Sequence, residues 1–177
     1  MTNEQIKSFA LEYHAEMVEK GFWKNKDLNT KIALIIGEVY ECLEAHRKGE
    51  TCRTQIAKFV DANFEQALIV GMFEKSVKDT VPDEAANTML RLLDLMAYLE
   101  MFDFSEIERS TWVKTVDWTF TSDILTLNEL LIQSVKDSKV LYTAYSFIIQ
   151  MDIFDWNHVK AKRKYNATRP FMFGKKY

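Results

Sequence analysis

The sequence predicts an all-α protein, and three observations support this prediction. Glycine and proline are scarce, with five and two residues in a chain of 177. Apolar side chains recur every three or four positions over long stretches, which is typical of amphipathic helices. Leu, Ala, Glu, Lys and Met, which favour helices, are abundant. Long helices joined by few tight turns account for this composition.

The length favours a single domain that spans residues 1–177. With 47% apolar and 28% charged residues, the chain is long enough to bury one sizeable core. We find no internal repeat, linker or low-complexity tract that would divide it.

The same sequence indicates a cytoplasmic protein that contacts neither a membrane nor a nucleic acid. Its longest apolar runs, at 32–36 and 67–73, are much shorter than a bilayer span. The N-terminus lacks the basic and then apolar pattern of a signal peptide. Cys42 and Cys52 have no metal-ligand spacing and suggest no disulfide framework, so we interpret them as inert thiols in a reducing compartment.

Two helices are predicted in the first third of the chain. The first covers about Asn3–Lys20, where apolar residues recur at spacings of three and four and Gly21 ends the helix. The second covers about Leu28–Lys48 and stops at Gly49. Its predicted buried stripe consists of Ile32, Ile35, Ile36, Val39 and Leu43.

The next two predicted helices cover about Thr54–Ser76 and Pro82–Met101. Pro82 suits the first turn of a helix because its backbone angle φ is already fixed near the helical value. The core side of this fourth helix is predicted to carry Ala85, Met89, Leu92, Leu93 and Met96.

The segment Phe104–Val116 is predicted as either a short helix or irregular structure, because residues 111–120 are rich in β-prone types. Two further helices are expected at Leu125–Val135 and at Ser138–Met151, with Ser138 as the N-cap of the second. A last helix is expected at about Trp156–Ala167, before an extended tail.

The C-terminal eighteen residues are strongly basic, although the formal net charge of the whole chain is −3. The basic residues of this tail are Lys160, Lys162, Arg163, Lys164, Arg169, Lys175 and Lys176. Two interpretations stay open, a binding site for an anion and a solvated basic terminus.

Carboxylates border the apolar stripes of the second and fourth helices. Glu38 and Glu41 are three residues apart and therefore lie on one helix face. A similar row on the fourth helix comprises Glu84, Asn87, Arg91 and Asp94. Packing of these helices would bring the oxygen atoms together at the rim of the core. A hard divalent cation such as Mg²⁺ would relieve the resulting repulsion.

An alternative interpretation treats these side chains as ordinary surface residues. Acids at such spacing are usually solvated, and Arg91 would then pair with Asp94 on its own helix. Glu44 points away from the Glu38 side and is interpreted as solvated. The three histidines, which we expect to be surface or hydrogen-bonded residues, are His14, His46 and His158.

Two segments resemble the metal-binding helices of the MazG-like family of all-α nucleotide pyrophosphohydrolases. Residues 32–49 resemble the first, with Glu38 and Glu41 on the family's Glu-x-x-Glu motif. Residues 78–95 resemble the second, whose motif is Glu-x-x-Asp followed by Arg and Asp. The matching residues there are Glu84, Arg91 and Asp94.

The resemblance extends to Gly21-Phe-Trp23 and to the closing run 162–177, whereas residues 103–155 match no motif of the family. It implies a helical bundle with a four-helix core plus additional helices, assembled as a homodimer or a larger homo-oligomer. It also implies Mg²⁺-dependent hydrolysis of a nucleoside triphosphate, NTP or dNTP, to a monophosphate and pyrophosphate. Mn²⁺ is the alternative ion.

The resemblance also implies roles for individual residues. The catalytic set would be Glu38, Glu41 and Glu84, and Asn87 would be a weak fourth metal ligand. The predicted substrate-binding residues are Trp23, Lys162, Asn166, Arg169 and Lys175. Basic groups at the end of the chain would bind the phosphates. Trp23 would stack on the base or, alternatively, serve as a core aromatic residue.

Three positions depart from the family pattern. Asn87 replaces a ligand Asp, Gly37 replaces an additional Glu of many members, and Phe173 stands where a His is frequent. Because Asn87 is neutral, we expect weaker binding of Mg²⁺. A second hypothesis is therefore a catalytically weakened nucleotide-binding relative that acts as a sensor or regulatory partner. A third is a helical interaction module that binds no nucleotide.

Overall fold

A computed structural model describes residues 1–50, 66–103, 105 and 119–170. In this part of the chain the structure contains α-helices and no strand, so the all-α prediction is confirmed. The helices are α1 (Asn3–Glu19), α2 (Leu28–Lys48), α3 (Gln66–Ser76), α4 (Val81–Tyr98), α5 (Phe120–Ser134), α6 (Val140–Ile149) and α7 (Trp156–Thr168). None of these seven is both long and apolar enough to cross a bilayer. The predicted start of the third helix and the segment 106–116 lie outside the described residues.

The predicted bounds of α1 and α2 agree with the structure because local caps define both helices. Thr2 and Gln5 form a capping box, in which each side chain accepts a hydrogen bond from the other residue's backbone N–H. Asp27 caps α2 by accepting from the N–H of Thr30 at 3.0 Å. Gly49 ends α2 in the left-handed conformation, with φ of 71°.

Two predicted boundaries were wrong. The fourth predicted helix, α4, ends at Tyr98 rather than near Met101, because Glu100 adopts a left-handed φ of 55°. The N–H of Met101 then donates to the carbonyl of Met96 at 2.9 Å, which closes the helix without glycine. Helix α5 begins at Phe120 rather than Leu125, because Thr119 caps it instead of continuing an extended segment.

The prediction that Ser138 is an N-cap was also wrong. Helix α6 begins at Val140 after Lys139, whose side chain makes no capping hydrogen bond. Asp137 makes the side-chain hydrogen bond before this helix, since its Oδ1 accepts from the backbone N–H of Lys139 at 3.0 Å. Helix α7 begins after Asp155, which caps it through the N–H of Asn157.

Helix α4 forms the centre of the described fold and packs against α1, α2, α6 and α7. It is buried on most sides, as expected for a helix whose apolar residues surround the axis. Its most deeply buried side chains are Met89, Leu90, Leu92, Leu93, Leu95 and Met96. The predicted stripe of α2 packs on it through Ile32, Ile35 and Val39, while Ile36 and Leu43 are partly buried. The α2–α4 packing therefore fixes how the acidic residues of the two helices face each other.

Truncation of Leu92 tests the central position of α4. Leu92 is fully buried, so we expect Leu92→Ala to lower the free energy of unfolding by about 2–5 kcal/mol. Leu125 is 62% exposed, and the matched change Leu125→Ala should alter it by less than about 0.5 kcal/mol. Urea unfolding followed by circular dichroism measures both values. Equal losses in the two variants would contradict this arrangement of the core.

Candidate metal centre

The packing of α2 against α4 brings Glu38, Glu41 and Glu84 together. One carboxylate oxygen from each residue lies within 4.8 Å of the other two. Glu38 and Glu84 are buried, with 6% and 4% exposure, whereas Glu41 is exposed. The three predicted metal ligands thus converge at the rim of the core, with one side chain facing solvent.

A second acidic group shares Glu84 with the first. This group consists of Asp79, Asp83 and Glu84, and one carboxylate oxygen from each residue lies within 4.8 Å of the other two. Asp79 precedes α4 with a left-handed φ of 63°, and its backbone N–H donates to Asp83 Oδ2 at 3.1 Å. The sequence analysis missed both residues. The one signal was an acidic pair at a helix start, which the helix dipole ordinarily explains.

Glu38 is held by two residues of α4. The Nε of Arg91 donates to Glu38 Oε1 at 2.5 Å, and the amide nitrogen of Asn87 donates to Glu38 Oε2. Arg91 therefore pairs with Glu38 on α2, whereas the alternative interpretation paired it with Asp94 on its own helix. Asn87, the predicted fourth ligand, faces Glu38 with its amide NH₂ group, so in this conformation its side chain donates a hydrogen bond to Glu38.

Lys162 lies in the interior, where it contacts the acidic group directly. Its Nζ is 2.8 Å from Asp83 Oδ2, and the two side chains are 6% and 0% exposed. The same ammonium group lies 5.6 Å from the ring centroid of Phe73. Asn166, one turn further along α7, is buried as well. The structure therefore places the two predicted phosphate-binding residues on one helix face, but beneath the surface.

The other predicted substrate-binding residues of the tail are Arg169, which contacts Tyr165, and Lys175, which lies outside the described residues. Arg169 places its guanidinium 5.8 Å from the ring centroid of Tyr165 and is half-buried. Lys175 and Phe173 lie outside the described residues, and the roles expected of them stay predictions. Lys20 Nζ contacts the backbone carbonyl of Arg169 at 2.6 Å, which ties this end of α7 to α1.

Burial makes Glu84 a weaker acid than an exposed glutamate. Desolvation raises its pKa to about 8, Lys162 opposes the shift, and the carboxylates of Asp83, Glu38 and Glu41 add to it. Burial likewise raises the pKa of Asp83, against the effect of Lys162. At a given pH, Glu84 and Asp83 are therefore protonated more readily than exposed acids.

Two buried carboxylate oxygens of the cluster fit a cation. Glu84 Oε2 and Asp83 Oδ1 have no hydrogen-bond partner among the described residues. Buried polar atoms normally have partners, and an oxygen-only donor set is the set that hard divalent ions prefer. The residues present therefore fit Mg²⁺ or Mn²⁺.

An open cleft of about 440 Å³ adjoins the carboxylates. Glu41, Asp79 and Glu84 line it, together with the basic residues Lys48 and Lys78. Ligand clefts commonly have volumes of about 300–1,000 Å³. The cleft has room for a small polar ligand next to the acidic group.

Trp23 is a buried core residue, which the sequence analysis gave as the alternative to stacking on a base. It is 6% exposed, stacks on Tyr98 with a centroid distance of 4.3 Å, and donates through Nε1 to Asp94 at 2.9 Å. His14, which we expected at the surface or hydrogen-bonded, is hydrogen-bonded, since its Nδ1 lies 2.7 Å from Asp94 Oδ1. Lys31 covers Trp23 with its Nζ 4.6 Å from the ring centroid.

The cavity beside Trp23 is small. It has a volume of about 30 Å³ and borders Asn87, Arg91 and Asp94. Such a space holds about one water molecule and cannot hold a nucleobase. Stacking of a base on Trp23 would therefore require Lys31 or Tyr98 to move.

Glu44 is exposed, as the sequence analysis expected, and pairs with Arg47 at 3.0 Å and Lys48 at 3.3 Å. The expectation that it points away from the Glu38 side was wrong, since it lines the same cleft as Glu41 and Glu84. Cys42 is buried, and burial raises its pKa to about 12, so it stays a protonated thiol at neutral pH. Cys52 lies outside the described residues.

Comparisons of the chain with protein-family models, curated proteins and solved structures found no significant match. The MazG-like resemblance therefore rests on the sequence motifs alone, and the functional assignment rests on the motifs together with the geometry of the carboxylates.

The raised pKa of Glu84 predicts how stability depends on pH in the metal-free protein. Between its ordinary value of 4.5 and about 8, folded Glu84 keeps a proton that the unfolded chain has lost. The free energy of unfolding should therefore fall as pH rises through this window, by about 1.4 kcal/mol for each unit of pKa shift as an upper limit. Urea unfolding in EDTA from pH 5 to 9 measures the slope. Glu84→Gln should flatten it, and an identical slope in both proteins would refute this origin.

Proposed function

We propose that the chain is a Mg²⁺-dependent nucleotide pyrophosphohydrolase that cleaves NTP or dNTP between the α and β phosphates. The products are a nucleoside monophosphate and pyrophosphate. The observation that carries this proposal is the convergence of Glu38, Glu41 and Glu84 from two helices within 4.8 Å, beside an open cleft. The Glu-x-x-Glu motif and the spacing of Glu84, Arg91 and Asp94 supply the sequence support.

Glu38, Glu41 and Glu84 would hold the ion, with Asn87 as a fourth ligand once its amide presents oxygen. The bound ion supplies Lewis-acid stabilisation of phosphate charge and lowers the pKa of water. Arg91 keeps one oxygen of Glu38 fixed, which limits the directions from which that carboxylate can bind. Mn²⁺ has the same preference for oxygen ligands and is the natural substitute.

The remaining steps fall to side chains that line the cleft. Glu41 is the exposed member of the cluster and lines the cleft, so in this proposal its carboxylate would accept the proton of the attacking water. Lys48 and Lys78 would bind phosphate oxygens from the same cleft. Lys162 acts indirectly in this scheme, because its ammonium group is engaged by Asp83 in the interior.

From the resemblance we further propose a homodimer or higher homo-oligomer, and from the sequence pattern a cytoplasmic protein with no nucleic-acid partner. Among the described residues, α5 exposes Leu125 at 62% and Ile132 at 60%, and these apolar side chains are compatible with contact between subunits. The assembly state stays a prediction.

Pyrophosphate release from a panel of ribo- and deoxyribonucleotides with Mg²⁺ or Mn²⁺ tests the proposed activity. We expect Glu38→Ala to lower the rate by at least about 100-fold, since it removes a ligand and leaves Arg91 without its carboxylate. Glu129→Ala is the control, because Glu129 is an exposed glutamate of α5 that accepts from Gln133 and does not line the cleft. Turnover by the purified protein no faster than by Glu38→Ala would reject the assignment.

A second candidate function is nucleotide sensing by a catalytically weakened relative. The specific observation in its favour is that Asn87 donates to Glu38, where the family motif has a ligand Asp. A sensor would be stabilised against heat by nucleotide and metal without releasing pyrophosphate.

The variant Asn87→Asp tests whether the missing charge limits the site. An added carboxylate should tighten Mn²⁺ binding by about tenfold, which corresponds to about 1.4 kcal/mol, and should raise pyrophosphate release. Titration calorimetry measures the affinity. Asn87→Ala is the control, because it removes the amide without adding charge, and equal affinities of the two variants would show that charge at this position is not limiting.

A further inference from the structure

Glu84 belongs to two carboxylate triplets, one with Glu38 and Glu41 and one with Asp79 and Asp83. Within each triplet, one oxygen from each residue lies within 4.8 Å of the others. Oxygens on opposite sides of one divalent cation are about 4 Å apart for Mg²⁺ and about 5 Å apart for Ca²⁺. The limit of 4.8 Å lies between these two values, so each triplet comes close to the spacing of ligands around a single ion.

An independent observation points to a ligand at the second triplet. Asp83 is 1% exposed and Glu84 is 4% exposed, and each keeps one buried oxygen without a hydrogen-bond partner among the described residues. The other oxygen of Asp83 already accepts from Lys162 and from the Asp79 N–H. A buried oxygen without a donor is costly, and a cation held by this triplet would supply such an oxygen with a partner.

We propose that Glu84 bridges two divalent cations, the first held with Glu38 and Glu41 and the second held with Asp79 and Asp83. This inference rests on the proposed function and extends it to a two-ion site. Ions that share a bridging carboxylate lie about 3.5–4 Å apart, and such a pair stabilises both the attacking and the leaving oxygen in phosphate chemistry.

The charges around the two triplets favour a second ion. Lys162 contacts Asp83, Lys78 contacts Asp79 and Arg91 contacts Glu38, so three basic groups face five carboxylates. Even with the buried Glu84 protonated, the carboxylates outnumber these three basic groups, and a triphosphate would add further negative charge. The Lys78–Asp79 pair is solvent-exposed, and such pairs contribute little free energy, so a divalent ion can displace Lys78 from Asp79.

Binding of Mn²⁺ to the full chain without nucleotide tests the proposal. Equilibrium dialysis should give two ions per chain, and electron paramagnetic resonance should show an exchange-coupled pair. Asp79→Asn should bind one ion with an uncoupled spectrum. Asn is well tolerated at the left-handed φ of this position, so the variant keeps its backbone conformation. Glu41→Gln should likewise leave one uncoupled ion.

The control is Glu44→Gln, because Glu44 lines the same cleft but belongs to neither triplet. It should retain two coupled ions. One ion in the unmodified protein, two uncoupled ions, or a coupled pair in Asp79→Asn would each overturn the bridge. One ion together with pyrophosphate release would overturn the bridge alone and support the proposed activity. Neither Mn²⁺ binding nor activity would reject both.

Discussion

The packing of α2 along α4 is the interaction on which the rest of the structure depends. The apolar stripes of the two helices remove large side chains from water, and each such side chain contributes about 1.5–3 kcal/mol. The same contact brings Glu38 and Glu84 into a poorly solvated rim, where like charges repel more strongly than in water. Burial of the core therefore offsets the free energy required to gather these carboxylates.

The protein compensates this charge with its own basic side chains. Arg91 contacts Glu38 from α4, and Lys162 reaches Asp83 from α7. Removing one partner from a buried ion pair leaves an uncompensated charge, which typically costs about 3–5 kcal/mol. The acidic cluster and the position of α7 thus depend on each other. This coupling explains why a lysine predicted to bind phosphate is found inside the protein.

The parts of the fold that local chemistry defines were predictable from the sequence. The ends of α2 follow from Asp27 and Gly49, and the three-residue spacing of Glu38 and Glu41 places both on one face. The end of α4 was missed because Glu100 adopts a left-handed conformation, which glycine adopts far more readily than glutamate. The start of α5 was missed because β-prone Thr119 acts as a cap.

The site was predicted where helix periodicity determines it and was missed where distant segments meet. Glu38, Glu41 and Glu84 follow from two helical stripes that share one core. The contact between Lys162 and Asp83 depends on how α7 crosses α4, which periodicity does not encode. Asp79 lies in a turn, where neither periodicity nor capping patterns mark it as a ligand. His14 was placed only as a surface or hydrogen-bonded residue, because nothing in sequence links it to Asp94.

The two spaces beside the carboxylates determine where a nucleotide would lie. Asn87 and Arg91 border the small cavity and contact Glu38, whereas Glu41 and Glu84 line the large cleft. Under the proposed function the phosphates would lie in the cleft, because it combines volume, basic side chains and the proposed metal ligands. A base beside Trp23 would have to enlarge a cavity of about 30 Å³, which Trp23 and Lys31 line. Nucleotide selectivity would then be governed by the free energy of that opening, which the contacts of Asp94 oppose.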